Sequence, residues 1–211
     1  MSYHDEQETL DNLKAWWAQW GNAITWVVLV AAVAAAGWNG WNYWQRRQTS
    51  EAVVLYEQAQ QAVGAADKAM MARTAGDIEN QFPHTPYAQM TAVLVAHGLY
   101  QANDVAGAKA QLQWTIDHAK DQEYSELARV RLAGILLDEK AYDDGLKLVA
   151  DPASDAFKGL FADRRGDLLA AQGKRGEARH AYQTALEAFA TGDASARQLV
   201  QFKLDALGSA G

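Results

Sequence analysis

The chain has 211 residues, three prolines, no cysteine and a formal charge of −7. That length holds one ordinary domain with a segment to spare, and the missing thiols exclude disulfides, thiol catalysis and thiolate metal sites. Residues 1–21 carry four acids against the single base Lys14, and residues 45–211 carry 22 acids against 18 bases, so neither part offers the basic stripe that a phosphate backbone requires and no nucleic acid is expected as a partner.

In chain order the first predicted element is a short amphipathic helix within residues 1–21. Leu10, Leu13, Trp17 and Trp20 recur at helical spacing while Asp5, Glu8, Asp11 and Lys14 take the other faces, as in a helix lying at a membrane surface. The second is a transmembrane helix over residues 22–44. No charged side chain occurs between Ala15 and Gln45. The 23 residues from Asn22 to Trp44 span ~33 Å at ~1.5 Å per residue, enough for a hydrocarbon core of ~30 Å.

Seven of the eight tryptophans fall between Trp16 and Trp44. Trp17 and Trp20 mark one edge of the apolar run and Trp38, Trp41 and Trp44 the other, where indole rings settle at the headgroups. A buried core helix would not place tryptophans at both ends. A cleaved signal peptide would match Ala34–Ala36, yet its leading region should be short and basic, and here it is acidic. Ala31, Ala32, Ala35, Ala36 and Gly40 form small-xxx-small pairs that read either as a docking face for another membrane helix or as filler. Lys14 on one side and Arg46 with Arg47 on the other leave the orientation open.

Residues 45–211 read as a soluble domain of helices about a dozen residues long, separated by short Gly, Asp or Asn breaks. From Gly166 the chain places Leu169, Gly173, Ala178, Tyr182 and Ala185 at +3, +7, +12, +16 and +19. This small-large spacing is that of a tetratricopeptide repeat, with small residues where two helices touch and a large one wedged into the neighbour. Ala133, Leu136, Lys140, Gly145 and Val149 fit the same ruler, as do Ala96, Leu99, Asn103, Ala108 and Leu112. A degenerate first pair is expected near residues 50–63 and 67–82, and a capping helix over residues 194–207. The expected fold is therefore all-α: one transmembrane helix followed by a tetratricopeptide-repeat-like solenoid of helical hairpins.

No chemistry of catalysis stands out. The five histidines never pair at metal-ligand spacing, and Gly166 to Gly173-Lys174-Arg175 has the wrong interval and lacks the Ser/Thr of a phosphate loop. Asp163 and Asp167 suit salt bridges better than an acid pair. No catalytic, cofactor or metal site is expected, and the protein is read as a non-enzyme. The candidate site is instead a surface. First helices of such repeats line a concave face, which places Met90, Val93, His97, Tyr100, Leu127, Val130, Gly134 and Leu137 on a partner-binding groove, or else against neighbouring helices.

The layout also resembles the YfgM-like family. The likeness rests on the Gly37-Trp38-x-x-Trp41 edge of the anchor and on Ala162-Asp163-x-Arg165-Gly166-Asp167-Leu168-Leu169 followed by Gly173-x4-Ala178-Arg179, with a weaker match at residues 128–133. This resemblance implies an inner-membrane protein of a Gram-negative bacterium, residues 1–21 cytoplasmic and residues 45–211 periplasmic. It further implies association with the SecYEG translocon, with the membrane-anchored periplasmic chaperone PpiD and with emerging secreted or unfolded polypeptides, besides the lipid bilayer. Arg46 and Arg47 sit awkwardly with that orientation. The alternative function is a membrane-tethered repeat scaffold for another envelope process, such as cytochrome maturation.

Overall fold

The structure, a computed structural model, describes the backbone of residues 3–189 and 193–208. Two compact units divide at Gln48 and Thr49, and each is described on its own. The first helix, α1 (Tyr3–Gly64), contributes to both. No proline precedes Pro83 and alanine is the commonest residue of the run, so nothing interrupts the i→i−4 bonding.

Within the first unit, α1 includes a stretch long and apolar enough to cross a membrane. Its Val27, Val30 and Val33 are exposed, as are Trp17, Trp20, Trp38, Trp41 and Trp44. Trp41 and Trp44 lie 5.5 Å apart between ring centroids, and the Trp17 indole folds over Gly21, where an added Cβ would meet it at 3.0 Å. The faces assigned to Asp5, Glu8 and Asp11 fall on side chains outside the described residues.

The second unit is a stack of hairpins. The part of α1 from Thr49 pairs with α2 (Lys68–Gln81). Then α3 (Pro86–Gln101) pairs with α4 (Val105–His118), α5 (Gln122–Asp138) with α6 (Tyr142–Leu148), and α7 (Lys158–Ala171) with α8 (Arg175–Ala188). Helix α9 (Ala194–Ala206) closes the stack. Among the described residues there is no β-strand.

The same turn joins the two helices of each pair. Ala66, Asn103, Lys140 and Gly173 all take positive φ, at 53°, 61°, 62° and 78°. In each case the next residue donates its N–H five residues back: Asp67 to Ala62, Asp104 to Leu99, Ala141 to Leu136 and Lys174 to Leu169, at 2.8–3.0 Å. This is the Schellman closure, which satisfies carbonyls at the helix end. The left-handed residue is the +7 position of the ruler, so the repeat register is written in the backbone itself. It also extends one repeat upstream, to Ala59, Ala62, Ala66, Met71 and Ala75.

Only Gly173 suits this conformation without a steric cost, because a Cβ crowds the following carbonyl when φ is positive. Lys140→Gly is therefore expected to raise stability by about 0.5–1 kcal/mol, and Gly173→Ala to lower it by a similar amount. Chemical denaturation of the full chain would check both signs.

The core runs along the stack as successive clusters. Ala59, Ala62, Met71, Ala75, Val95 and Leu99 pack with Ala108, Leu112, Ala128 and Leu132, and Ala162, Leu169, Ala178, Tyr182 and Ala185 pack with Val200 of α9. Met71 occupies the small-residue position filled by Ala108, Gly145 and Ala178 elsewhere. Its bulk is accommodated by Gly98, where an added Cβ would lie 2.8 Å from the Met71 Sδ.

Candidate partner-binding groove

Helices α3, α5 and α7 are the first helices of successive hairpins, and together they frame a groove of about 320 Å³. His97 and Tyr100 stand on α3, Arg131, Gly134 and Asp138 on α5, and Arg164 on α7, above a floor that includes Ala96, Leu112 and Ile135. The Tyr100 hydroxyl donates to Asp138 Oδ2 at 2.6 Å, and that bond, more than the charge itself, raises the phenol above its ordinary value. Asp138 is thus already engaged at one edge.

The two guanidinium groups are less committed. Arg131 reaches only the Val93 carbonyl, at 3.4 Å, and no carboxylate pairs with it among the described residues. Arg164 Nη1 approaches Asp167 Oδ2 at 3.3 Å, while its buried Nε has no partner. Gly134 makes room for this side chain, since a Cβ there would sit 3.3 Å from Arg164 Cζ. The centre of the groove therefore holds planar cations with donors to spare, over an apolar floor. Such a surface suits carboxylates and the carbonyls of an extended chain.

The residues read from the sequence divide here. His97, Tyr100 and Gly134 line the groove, the first two of them exposed. Met90, Leu127 and Leu137 are half-buried, and Leu137 packs against the cluster around Phe161. Val93 and Val130 lie beneath the surface, at 6% and 7% exposure. Arg131, Asp138 and Arg164 were missed. On α5 the open face runs one residue later than the apolar stripe, a rotation of about 100° on a helix. The available signal was Arg131 following Val130 in an otherwise apolar run. In the first unit Ala31, Ala32, Ala35, Ala36 and Gly40 are all exposed.

A second cluster ties the closing helix down. Lys203 Nζ of α9 lies 2.7 Å from Asp163 Oδ1 and 3.0 Å from Asp167 Oδ2, and the Tyr182 hydroxyl donates to Asp167 Oδ1 at 2.9 Å. Burial, then the Asp167 carboxylate, pushes the Tyr182 phenol above its ordinary value, so it remains a donor. Burial also raises Asp163, with Lys203 opposing and Asp167 adding to the shift.

Removing the ammonium leaves two half-buried carboxylates facing each other. Lys203→Met is expected to cost about 2 kcal/mol at neutral pH, below the range for fully buried pairs because all three groups retain some exposure. A carboxyl that titrates above its unfolded value contributes most below the unfolded value, and that contribution is lost as pH rises through the folded value. The penalty should therefore shrink on acidification from neutral pH toward the carboxylate range. Denaturation midpoints of the variant and the parent chain at several pH values would check this.

Comparison with known proteins matches residues 14–209 to the family model described as a tetratricopeptide repeat-like domain. A protein of Neisseria gonorrhoeae (strain ATCC 700825 / FA 1090) named "Ancillary SecYEG translocon subunit" is 31% identical over 207 residues, covering 96% of this chain and 97% of that one. A protein of Escherichia coli (strain K12) with the same name is 26% identical over 208 residues, covering 97% and 98%. Both alignments run through the apolar helix and the repeats alike.

Proposed function

The chain belongs to the YfgM-like family of tetratricopeptide repeat-like proteins, and from that premise we propose that it is a non-enzymatic ancillary subunit of a bacterial Sec translocon. Residues 22–44 cross the inner membrane, with residues 1–21 on the cytoplasmic side and residues 45–211 in the periplasm. Trp17, Trp20, Trp38, Trp41 and Trp44 hold the span at the two headgroup layers. Ala31, Ala32, Ala35, Ala36 and Gly40 allow a helix of the SecYEG channel to approach closely. The repeat unit then takes a segment of the chaperone PpiD, or of an emerging chain, in the α3–α5–α7 groove and so links channel to chaperone.

The observation that carries the scaffold reading is Arg131, a cation at the centre of the groove that pairs with no carboxylate among the described residues. A photocrosslinking residue placed at Ala32 is expected to capture a channel subunit, and one at Tyr100 a periplasmic chaperone or a nascent chain. Arg131→Glu should weaken the second capture several-fold and leave the first unchanged. Capture of neither class would sink the proposal. Copurification in mild detergent with cytochrome-maturation proteins instead would favour a scaffold for another envelope process. A phosphatase fused to the carboxyl terminus should be active, and an inactive fusion would reverse the assigned orientation.

A further inference from the structure

The third hairpin is incomplete. Helices α2, α4 and α8 each begin nine residues after the first small residue of their repeat (Ala59, Ala96 and Gly166) and run for 14 residues. Helix α6 begins in the same register after Ala133 but runs for only 7. Pro152 explains the break: it falls at the +19 position, where Ile78, Thr115 and Ala185 are helical and fully buried. Proline removes the donor and blocks the preceding turn.

After α6 the chain continues through residues 149–152 without helix. Glu126 of α5 is buried and accepts from the Ala153 and Ser154 amides and from the Ser154 hydroxyl, the last at 2.7 Å. This pins residues 153–154 to α5. A slot of about 980 Å³ remains where the last two turns of α6 would lie, floored by Phe161, Ala162, Leu169 and Ala181. Two helical turns, about 10 Å long and about 10 Å across, fill roughly 800 Å³. The slot shares no lining residue with the concave groove.

Its two walls differ in charge. Helix α7 contributes Lys158 and Arg165, α8 contributes Glu177 and Glu187 with His180 between them, and the segment after α6 adds Asp151. Lys158 pairs with exposed Asp155, whereas Arg165, Glu177 and Glu187 form no ion pair among the described residues. We propose that this slot receives two turns of helix from another protein, which completes the third repeat. The incoming segment carries a face of alanine and leucine, acids along the edge toward α7 and bases along the edge toward α8. It is a helix-in-groove contact, with charge fixing direction and register. The inference stands apart from the translocon reading, because it concerns a different surface and needs no named partner.

The test uses the full chain in detergent micelles and two fluorescent, stapled twelve-residue helices. Each has an Ala/Leu face, and the pair differ only in which edge bears Glu and which bears Lys. Empty micelles serve as the blank. Anisotropy should show one twin binding about tenfold more tightly than the other. Cancelling the wall charges with Arg165→Glu and Glu187→Lys, which leaves one charge of each sign on either wall, should erase that preference. Thr184→Trp, on an exposed position at the slot, should abolish binding with an unchanged melting temperature. Equal binding of the twins, no binding, binding that survives Thr184→Trp, or displacement of the probe by self-association of the chain would each overturn the proposal.

Discussion

Gly166→Ala is expected to lower the folding stability of the repeat unit by about 3 kcal/mol, the upper end of what overpacking a core costs. An added Cβ would meet the Tyr182 ring, at 2.5 Å from Cδ1 and closer still to Cε1. Neither side can yield. Gly166 lies in the middle of α7, where backbone movement would disturb the bonds of a whole turn. Tyr182 is buried on α8, and its hydroxyl donates to Asp167, so the ring is held at both ends. The Cβ intrudes where the two helices approach most closely, and they must separate. If this account holds, Tyr182→Leu in the Gly166→Ala background recovers part of the loss, although Tyr182→Leu alone is destabilising. Denaturation of the single and double variants measures the coupling. A Gly166→Ala chain within about 0.5 kcal/mol of the parent would show that the interface repacks freely.

This pair also shows why the repeats were legible in the sequence. The small-large ruler reflects contact between adjacent helices, and those contacts are local: Gly166 meets Tyr182 sixteen residues later, and Leu169 accepts the Lys174 N–H. Where the compensation crosses between hairpins, the signal fades. In the first repeat the small-residue position holds Met71, and the space it needs comes from Gly98, 27 residues away on α3. The tie from Lys203 to Asp163 closes over 40 residues, so no spacing rule finds it. On the concave face, His97, Tyr100 and Gly134 were legible and the remaining α5 positions were not, for another reason. Val130 belongs to the buried side of α5, and neighbouring Arg131 points into the groove, a distinction that hydrophobicity alone cannot draw. The candidate membrane span needed no such cross-talk, since an uncharged run flanked by tryptophans is a property of consecutive residues.

Glu126→Ala carries the second large effect, an expected loss of about 2–3 kcal/mol. The carboxylate collects three donors from the stretch that leads into a single 3-10 turn, Asp155–Phe157. Each lost bond to a charged acceptor is worth about 1.5–3 kcal/mol, but the sum overstates the result. Ala153 is exposed and its amide regains water, and the cost of burying the carboxylate disappears with it. Glu126→Gln keeps an acceptor for one amide but turns an N–H₂ toward the others, so it should fall between the parent and the alanine variant. The loss should also be local. Arg129 of α5 still holds the Leu148 carbonyl at 2.8 Å and stacks over Phe161, so the end of α6 stays in place. Hydrogen exchange should therefore quicken in residues 150–157 and not in α6. Freed from α5, that loop can fall across the slot beside α7 and α8. Binding of the preferred stapled helix should then weaken in proportion to the exchange, in alanine and glutamine variants alike. A loop that exchanges faster without any change in binding would mean that Glu126 stabilises the fold but does not hold the slot open.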